Sequence, residues 1–493
     1  MKNLTHFAPN TFERIKNLCT GGFDDISVLV VGDIMLDRYI SGKVKRISPE
    51  APVPVFLVQD EHDVLGGAGS VVSNLRRLGV KTSFIGRAGN DREAECITKM
   101  LCDVGAEESN IAYRGTSSVK TRLLGNGRQQ MIRLDYENII LPLKEEHKSY
   151  IESIEKKLKN GLKAVILSDY GKGMFLGTLA QDIIKTCAKY KVPVLVDPKG
   201  TDWNKYSGAF VVTPNLSELA AVSDRQVIND DNSVADAGKA IKSRFKFQNL
   251  IVTRSEKGAT LISSDEVLHV PAFAVEVFDV SGAGDTVIAV LSASVAAGLD
   301  IADSVRLANM AGQVVVGKVG TTPIERDELL NFFAKNESKG KLMKAEDVAV
   351  KIQEWQKRGE KVIFTNGCFD IFHAGHVDSL AKSKALGEHL VVGLNSDSSI
   401  RLLKGPSRPV NLQGARASVL SAMSDVDIVV IFDEETPEHL LSILRPDVIA
   451  KGGDYSPDKV AGGQYAKEVV ILPLLEGLST TSIIERMNYD GNK

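Results

Sequence analysis

The sequence lacks the features that mark membrane, secreted and nucleic-acid-binding proteins. No stretch approaches the roughly 18 uninterrupted apolar residues of a membrane-spanning helix, and residues 1–10 lack a basic start followed by an apolar run. The net charge of -3 provides no basic excess for contacts with nucleic acid. We therefore expect a cytoplasmic protein with no membrane span and no nucleic-acid partner.

Cysteine is scarce, and the common P-loop for nucleotides is missing. The 5 cysteines are scattered and never form a C-x-x-C pair, which argues against a disulfide framework or a zinc knuckle. No G-x-x-x-x-G-K-[ST] motif occurs, so a P-loop kinase is excluded. The remaining composition, 43% hydrophobic and 25% charged, is that of an ordinary globular protein.

Short runs rich in Val and Ile alternate with segments of helical period in both halves of the chain. This alternation predicts an α/β protein with parallel sheets. The predicted strands are Val28–Val31, Phe84–Gly86, Ala164–Leu167, Val194–Val196, Phe210–Val212, Leu250–Val252, Val362–Phe364, Leu390–Leu394, Val426–Ile431, Val448–Ala450 and Val469–Leu472. The predicted helices are Ala68–Leu78, Ala283–Ala297, Ile301–Val316, Ala345–Lys357 and His376–Leu386.

A small, polar and charged stretch near residues 336–341 lies between two helix-like segments and predicts an exposed linker. We therefore predict a first domain at residues 1–337, a linker at 338–345 and a second domain at 346–493. Within the first domain, the proline-containing segment Lys43–Val58 is expected to form an edge or lid strand that could cover a site.

The motif Gly282-Ala283-Gly284-Asp285 opens an apolar helix. The unpaired N–H groups and the positive dipole end of such a helix bind anions, and here they are suited to hold the γ-phosphoryl group of a nucleotide. Asp285 would then lie beside the anion, where it could accept a proton from an attacking hydroxyl. The alternative is an aspartate that merely complements the helix dipole.

Two further segments suggest a ligand site in the first half. Gly66 and Gly67 precede a second helix that contains Asn74, and their backbone could approach a polyhydroxylated substrate. The run Asn215-Leu216-Ser217-Glu218 follows a predicted strand, at the edge where open α/β sheets bind ligands. Glu218 could hold Mg²⁺ through water, although it could equally be an ordinary glutamate at a helix start.

Together with Thr253-x-x-x-Lys257-Gly258, these motifs resemble the ribokinase family of carbohydrate kinases over roughly residues 27–320. The resemblance implies a ribokinase-like fold with a small β lid. It makes Asp285 the catalytic base and Gly282, Ala283 and Gly284 the anion hole.

The same resemblance assigns the binding residues of the first site. ATP and Mg²⁺ are assigned to Asn215, Leu216, Ser217 and Glu218, with Thr253 and Gly258 flanking the nucleotide, and the metal itself to Glu218. The sugar is assigned to Asp33, Asp37, Gly66, Gly67 and Asn74. A phosphate already on the sugar needs a cation, for which the candidates are Lys172, Lys199, Arg122 and Arg133.

In the second half, His373-Ala374-Gly375-His376 places two imidazoles on one face of a helix start. A metal site would need a third ligand, and no H-E-x-x-H motif is present. We favour imidazoles that donate hydrogen bonds to phosphate and stabilise the charge that develops when an α-phosphate is attacked.

Residues 361–482 resemble the nucleotidyltransferases that carry an H-x-G-H motif. The resemblance implies a Rossmann-like domain in which His373 and His376 are catalytic. The nucleotide is assigned to Asn366, Gly367, Phe369 and Asp370, its β- and γ-phosphates to Ser479, Thr480 and Thr481, and the ribose to Asn395 and Asp397. Lys404 supplies a cation, and the other available cations are Arg408, Arg416 and Lys451.

The two halves together resemble the bifunctional heptose enzymes of lipopolysaccharide precursor synthesis, over nearly the whole chain. This resemblance implies phosphorylation of D-glycero-D-manno-heptose 7-phosphate at O1 and adenylylation of heptose 1-phosphate to ADP-heptose. It also implies ATP as the substrate of both reactions, Mg²⁺, and a homodimer formed through the lid of the kinase half. The alternatives are action on another sugar or polyol phosphate, or a second half that only senses nucleotide.

Overall fold

The computed structural model describes residues 11–125, 129–272, 277–318, 320–453 and 456–473. The chain divides into two compact units, Met1–Phe333 and Ala334–Lys493. Within the described ranges, no helix is both long and apolar enough to cross a membrane.

The first unit is built on a mixed sheet of 12 strands among its described residues. The strands are β1 (Ser27–Ile47), β2 (Pro54–Gly67), β3 (Lys81–Ala88), β4 (Glu107–Tyr113), β5 (Ser118–Leu124), β6 (Gln130–Tyr136), β7 (Ala164–Ser168), β8 (Val194–Asp197), β9 (Val211–Val212), β10 (Asn249–Thr253), β11 (Ala259–Ile262) and β12 (Val267–Val270). The central order is β12-β11-β10-β9-β8-β7-β1-β3-β4, in which only β11 and β12 pair antiparallel to their neighbours.

Helices cover both faces of this sheet. They are α1 (Thr11–Cys19), α2 (Ala68–Arg77), α3 (Arg92–Asp103), α4 (Lys144–Lys159), α5 (Leu179–Lys189), α6 (Leu216–Val222), α7 (Asp231–Phe245), α8 (Ala283–Ala296), α9 (Ile301–Val316) and α10 (Arg326–Gly340). Alternate residues of β1 enter opposite cores, because successive side chains of a strand point to opposite faces: Val28 and Val30 pack in one cluster, Leu29 and Val31 in the other. The predicted α/β architecture is confirmed.

Strand β1 passes from the central sheet into a second, smaller sheet. Up to Asp33 it pairs with β3, and from Ile34 onward it pairs with β2. Strand β5 runs parallel to the same stretch of β1, and β6 pairs antiparallel with β5. These strands form the lid, which confirms the lid predicted from the sequence.

The second unit contains a five-stranded parallel sheet among its described residues. Its strands, in the order β15-β14-β13-β16-β17, are β13 (Val362–Gly367), β14 (His389–Asn395), β15 (Ile428–Phe432), β16 (Val448–Gly452) and β17 (Glu468–Leu472). Its helices are α11 (Ala345–Lys357), α12 (Ala374–Lys384), α13 (Asp397–Lys404), α14 (Gln413–Ser421) and α15 (Glu438–Leu444). Cores on both faces of the sheet give the Rossmann-like layering that the sequence predicted.

Helix α10 ends at Gly340 and α11 begins at Ala345. The helix therefore continues into the stretch predicted as a linker, which is consistent with the helix propensity of its Glu and Lys residues. The domain limits 1–337 and 346–493 stay a prediction.

Candidate active sites

The first site forms where the parallel strands of the first unit end. Asp33 belongs to β1, Asp169 directly follows β7, and Asp197 closes β8. In the register of these strands, Gly32 pairs with Ser168 and Ser168 pairs with Asp197, so the three carboxylates lie on neighbouring strands at one edge. Helix α8 starts near this edge, because its Asp285 contacts the loop that follows β7.

Asp285 lies in the first turn of α8 and is only 5% exposed. The Tyr170 hydroxyl donates a hydrogen bond to Asp285 Oδ1 over 2.5 Å. Burial raises the pKa of Asp285 to about 6, while hydrogen bonds from Tyr170 and Ser70 act in the opposite direction. A carboxylate that is more basic than usual, yet ionised at neutral pH, is suited to accept a proton from a hydroxyl.

The turn before Asp285 has the shape of an anion cradle. Gly282 adopts φ 78°, a left-handed conformation that glycine accommodates without strain. Ala283 donates its N–H to the Val280 carbonyl at 3.3 Å, whereas a Cβ on Gly284 would find no heavy atom within 4 Å. Asp279 fixes this turn by accepting N–H groups from Ser281 and Gly320 at 2.9 and 3.2 Å.

Asp37 is buried and held by Arg122, whose Nη1 lies 2.7 Å from Asp37 Oδ1. A Cβ on Gly66 would lie 2.5 Å from Asp37 Oδ2, and one on Gly67 would lie 2.6 Å from the Asp33 carbonyl oxygen. Both glycines are therefore required for the close approach of β2 to β1.

Asp33 was predicted to bind sugar hydroxyls, but its carboxylate is occupied within the protein. Oδ2 accepts the N–H groups of Tyr170 and Lys172, both at 3.0 Å, and Oδ1 accepts that of Met174 at 3.1 Å. The structure thus gives Asp33 the role of anchoring the loop after β7.

Asn74 is a second correction. It is 2% exposed, its Nδ2 donates to the Ser70 carbonyl, and its Oδ1 accepts hydrogen bonds from Thr286 and Ile324. Asn74 therefore joins α2 to α8 inside the core, and its predicted contact with the sugar has no support. The glycine-rich start of α2 lies at the lid, but Asn74 follows far enough along the helix to face α8.

Three cations gather beside Asp37 and Asp285. Lys172 Nζ lies 2.6 Å from Glu137 Oε1, and Lys120 Nζ lies 5.6 Å from the centre of the Tyr170 ring. Desolvation lowers the pKa of Lys120, as do the charges of Lys172 and Arg122, while Asp37 raises it. Sequence reasoning missed Lys120, because a lysine on a lid strand carries no local motif.

Two other predicted cations lie in different surroundings. Arg133 pairs with Asp135 on the same strand and has a half-exposed side chain. Lys199 pairs with Glu218 at 3.1 Å. Neither is among the three cations grouped beside Asp37.

Asn215 caps α6 and forms a reciprocal pair with Glu218. The Asn215 Oδ1 accepts the Glu218 N–H at 2.9 Å and the Ser217 hydroxyl at 2.6 Å, while Glu218 Oε2 accepts the Asn215 N–H at 3.0 Å. Leu216 is the first residue of the helix and is partly buried.

Asp197 is a residue that the sequence analysis did not select for this site. Burial raises the pKa of Asp197 well above its usual value, and the neighbouring charges of Asp285 and Glu218 act in the same direction. The charges of Asp285, the predicted base, and of Glu218, the predicted metal ligand, both raise the pKa of Asp197, so both residues lie near Asp197.

Thr253 and Gly258 lie next to Asn215. Thr253 forms a parallel bridge with Asn215 and donates its N–H to the Pro214 carbonyl at 2.9 Å. Gly258 has φ 82°, and a Cβ there would lie 2.1 Å from the Val270 carbonyl. The segments predicted to flank ATP are thus adjacent in space.

The second site is centred on two histidines at the start of α12. His373 caps the helix, and its ring stacks on that of His376 with 3.8 Å between the centroids. The ring of Phe369 lies 5.1 Å from that of His376, and the ring of Phe372 lies 5.4 Å away. Aromatic packing therefore fixes the orientation of His376.

The protonation of His376 follows from its hydrogen bond. Its Nδ1 accepts the N–H of His373 at 3.3 Å, so the neutral ring carries its proton on Nε2. Burial lowers the pKa of His376 to about 4, assisted by the charges of His373 and Lys404. At neutral pH the ring is thus a neutral donor through Nε2.

Asn366 and Gly367 end β13, directly before the loop that leads to the histidines. Lys451, from β16, donates to Asn366 Oδ1 at 3.0 Å, and desolvation lowers its pKa. A Cβ on Gly367 would lie 3.0 Å from the ring of Phe369, which itself adopts φ 45°. Lys451 therefore places a cation beside the predicted nucleotide residues.

Asp370 was predicted to line the nucleotide, but it is 2% exposed. Its carboxylate accepts hydrogen bonds from Arg408 Nε at 2.5 Å and from the N–H groups of Val410 and Asn411 at 2.8 and 2.9 Å. These bonds occupy both oxygens, so the structure assigns Asp370 to anchoring the segment that precedes α14.

Arg416 was one of the cations available for phosphate, but it is buried. Its guanidinium donates to the carbonyls of Cys368, Asn395 and Asn411 and to Asp397, all between 2.7 and 2.8 Å. Asn395 is 3% exposed. These residues hold the edge of the sheet together, and the predicted ribose contact has no support from this geometry.

Lys404 ends α13 and is exposed. Ser479, Thr480 and Thr481, predicted to bind the outer phosphates, lie outside the described residues.

Comparison with known proteins gives a family for each half of the chain. Residues 25–328 match the pfkB family of carbohydrate kinases, and residues 364–486 match the cytidylyltransferase-like family. The fold and site thus define a carbohydrate kinase joined to a nucleotidyltransferase.

Three relatives, each called bifunctional protein HldE, match almost the whole chain. That of Methylobacillus flagellatus is 45% identical over 94% of this chain and 97% of its own length. Those of Acidiphilium cryptum and Pseudomonas syringae are each 43% identical and cover 94% and 95% of this chain, and 97% and 98% of their own lengths. The chain belongs to this family of bifunctional HldE proteins. The predicted bifunctional heptose enzyme family is thereby confirmed, as is ATP as a substrate.

Solved structures show the same fold in the first unit. Phosphofructokinase-2 from Escherichia coli, in complex with potassium, superposes with a TM-score of 0.52 over 63% of this chain and 98% of its own, at 20% identity. Ribokinase from Arabidopsis thaliana, complexed with ribose and ATP, superposes with a TM-score of 0.51. The superposition covers 62% of this chain and 98% of the ribokinase chain, at 19% identity.

Proposed function

We propose that the two sites catalyse two steps of ADP-heptose synthesis. The first transfers the γ-phosphoryl group of ATP to O1 of D-glycero-D-manno-heptose 7-phosphate. The second joins heptose 1-phosphate to AMP from ATP and releases pyrophosphate. Membership of the HldE family supports both activities. The observation that carries the kinase assignment is the buried Asp285 carboxylate at an open, glycine-rich helix start.

In the kinase reaction, the sugar hydroxyl oxygen attacks the γ-phosphorus. The bond to the bridging oxygen breaks, ADP leaves with the electron pair, and the hydroxyl proton passes to Asp285. The helix start at Gly282, Ala283 and Gly284 holds the transferring group through the positive end of the helix dipole, since the Ala283 N–H is already donated to the Val280 carbonyl. Asn215, Leu216, Ser217, Thr253 and Gly258 contact the nucleotide in this proposal.

Magnesium is proposed to bind with ATP near Glu218. Glu218 offers a carboxylate oxygen, the type of ligand that this metal prefers. Bound Mg²⁺ neutralises phosphate charge. Glu218 is oriented for this by Asn215 and Lys199 and would act through water.

The cation cluster explains why the sugar should already carry a phosphate. Lys172, Lys120 and Arg122 lie around Asp37, close to the base. Lys172 already pairs with Glu137 and Arg122 with Asp37, and a phosphate on the sugar would add an anion that an unphosphorylated sugar lacks. We propose that they hold the 7-phosphate.

In the adenylyl transfer, a phosphate oxygen of heptose 1-phosphate attacks the α-phosphorus of ATP. The α–β bridging bond breaks and pyrophosphate leaves. The Nε2–H of His376 donates to an oxygen that gains charge, and His373 stacks beside it. Lys451, Asn366, Gly367, Phe369 and Lys404 complete the nucleotide side of this proposal.

The direct test measures both half-reactions on the full chain. ADP release is followed with ATP and a panel that contains heptose 7-phosphate, fructose 6-phosphate, ribose and fructose. Pyrophosphate release is followed with ATP and heptose 1-phosphate. We expect turnover of both heptose phosphates; a kinase that accepts only unphosphorylated ribose or fructose would contradict the heptose assignment.

Replacing Gly284 by Ala is expected to reduce the kinase rate without destabilising the fold. The added methyl has open space in the protein, at the helix start that we propose holds the phosphoryl group, and a displacement of that group by about 1 Å can cost up to about 10²-fold in rate. Kinase kinetics and a thermal melt test this. Gly414→Ala, which also adds a methyl into open space, is the control and should leave kinase activity unchanged.

We also propose a homodimer formed through the lid. The lid strands expose large apolar side chains, including Leu57 on β2 at 60% and Ile132 on β6 at 50%. Exposed apolar side chains of this kind are typical of an interaction surface.

We further propose a cytoplasmic location, because both proposed reactions consume ATP.

Replacing Leu57 by Asp is expected to shift the protein from dimer to monomer. Burying an unpaired carboxylate in an apolar interface costs several kcal/mol, and each 1.4 kcal/mol weakens association about ten-fold. Sedimentation velocity over a concentration series measures the change. Val350→Asp alters an equally exposed residue, at 58%, on α11 and should not affect assembly; equal effects of both variants would argue against the lid.

A further inference from the structure

Tyr170 donates a hydrogen bond to Asp285, the proposed base, although no sequence motif indicated a functional role for this tyrosine. Its hydroxyl lies 2.5 Å from Asp285 Oδ1. The residue follows Asp169, directly after β7, and belongs to the loop that approaches the start of α8. Tyr170 thus holds one oxygen of this carboxylate, and Ser70 also donates a hydrogen bond to it.

The backbone of this loop is fixed by two buried carboxylates. The N–H groups of Tyr170 and Lys172 donate to Asp33 at 3.0 Å, and that of Gly171 donates to Asp169 Oδ1 at 2.7 Å. Each N–H from residue 170 to 172 therefore ends on a carboxylate. Hydrogen bonds to a charged acceptor are stronger than those between neutral groups, so this loop is held firmly.

Asp169 is itself held from the opposite side. Its Oδ2 accepts hydrogen bonds from Lys205 Nζ and from the Tyr206 hydroxyl, both at 2.5 Å. The residue is 3% exposed, so its charge is compensated inside the protein by Lys205. Asp33 and Asp169 thus hold the loop that carries Tyr170, and Lys205 and Tyr206 in turn hold Asp169.

We propose that Tyr170 is a positioning residue of the kinase reaction, which orients the Asp285 carboxylate and keeps it ionised. This inference rests on the proposed role of Asp285 as the base. The phenol donates to Oδ1 and thereby fixes the rotation of the carboxylate about its bond to the side chain. It also stabilises the negative charge that the carboxylate must carry before it can accept a proton. Asp33 and Asp169 support this function by holding the loop.

Several groups set the ionisation of Asp285. Burial raises its pKa, the bonds from Tyr170 and Ser70 lower it, Asp37 on β1 raises it, and Lys120 on β5 lowers it. Asp197 at the end of β8 also interacts with it. Burial and the charge of Asp285 raise the pKa of Tyr170 well above its usual value, so the phenol stays a donor across the assay range.

The test is the pH dependence of kinase kcat/KM in Tyr170→Phe, measured on the full chain with heptose 7-phosphate. Without this hydrogen bond the ionised carboxylate is less stable, so its pKa rises. The acidic limb of the plot of kcat/KM against pH should therefore move to higher pH by about one unit. With a starting pKa of about 6, that shift lowers activity at pH 6 about five-fold more than activity at pH 9. Phenylalanine keeps the ring, so its packing is retained.

Tyr150→Phe is the matched control. Tyr150 is also buried, and its hydroxyl donates to the Gly86 carbonyl at 2.9 Å, away from Asp285. Its replacement should leave the acidic limb where it is. Adenylyl transfer, measured in the same samples, should be unchanged in both variants, and a thermal melt of each variant shows that the first unit is folded.

The outcomes separate this inference from the proposed function. Suppose that Asp285→Asn abolishes kinase activity. Tyr170 then does not have this role if Tyr170→Phe leaves the acidic limb of the pH profile where it is, moves it to lower pH, or lowers activity equally at every pH. If Asp285→Asn retains kinase activity, the assignment of the base itself fails. A limb that moves to higher pH only in Tyr170→Phe supports the proposal.

Discussion

Replacing Asp285 by Asn is expected to reduce the kinase rate by about 10² to 10⁴, the usual contribution of a general base. The amide keeps the shape of the side chain but cannot take the proton from the sugar hydroxyl. Because the adenylyl transfer site belongs to the other compact unit, pyrophosphate release from ATP and heptose 1-phosphate should be unaffected. Both rates are measured on one preparation of the full chain.

Asp182→Asn is the matched control for this variant. Asp182 lies in the first turn of α5, so it complements a helix dipole in the same way but lies outside the proposed site. It should retain its kinase activity. If both variants lost similar kinase activity, Asp285 would have only the role of complementing a helix dipole. If Asp285→Asn lost adenylyl transfer as well as kinase activity, the two sites would not be independent.

Replacing His376 by Ala is expected to have the opposite pattern, with adenylyl transfer reduced by about 10² to 10³ and kinase activity retained. This is the usual effect of removing one donor that stabilises developing charge. The lost group is the Nε2–H, which the bond from the His373 N–H to Nδ1 directs away from the backbone. Pyrophosphate release is the readout.

His439→Ala controls for the loss of a histidine in the second unit, because His439 is exposed on α15. It should change neither rate. Metal content is measured alongside: if His376→Ala released a stoichiometric metal ion, the donor role would be wrong. Among the described residues, no cluster of three or more His, Cys, Asp or Glu is arranged to hold a metal.

Most of the fold could be predicted because its signals are local. Helices α9 and α11 occupy the residues expected of them, and all the predicted strands are present within a few residues. Buried strands of a parallel sheet are continuous apolar runs, which are recognisable without any tertiary information. The linker stays a prediction; α10 extends to Gly340 within it, since charged residues continue a helix as readily as they form a loop.

The roles of individual polar residues were harder to predict, because they depend on contacts that are distant in sequence. Asp33 and Asp370 follow the pattern of ligand-binding carboxylates, yet backbone N–H groups far along the chain occupy them. Lys120 and Tyr170 carry no motif and reach Asp285 only after β5 and β7 have joined β1. Sequence patterns thus predicted where the two sites lie, but they gave no sign of Lys120 and Tyr170, which change the pKa of the proposed base.

The continuity of β1 has a mechanical consequence. The strand leaves the central sheet at Asp33 and belongs to the lid by Asp37, with no loop between them to serve as a hinge. Any opening of the lid must flex this strand and carry Asp37 and its partner Arg122 away from Asp285. In the proposed reaction, one bend of β1 would therefore open the site to the sugar and displace Asp37 and Arg122, while Asp285 keeps its hydrogen bond from Tyr170.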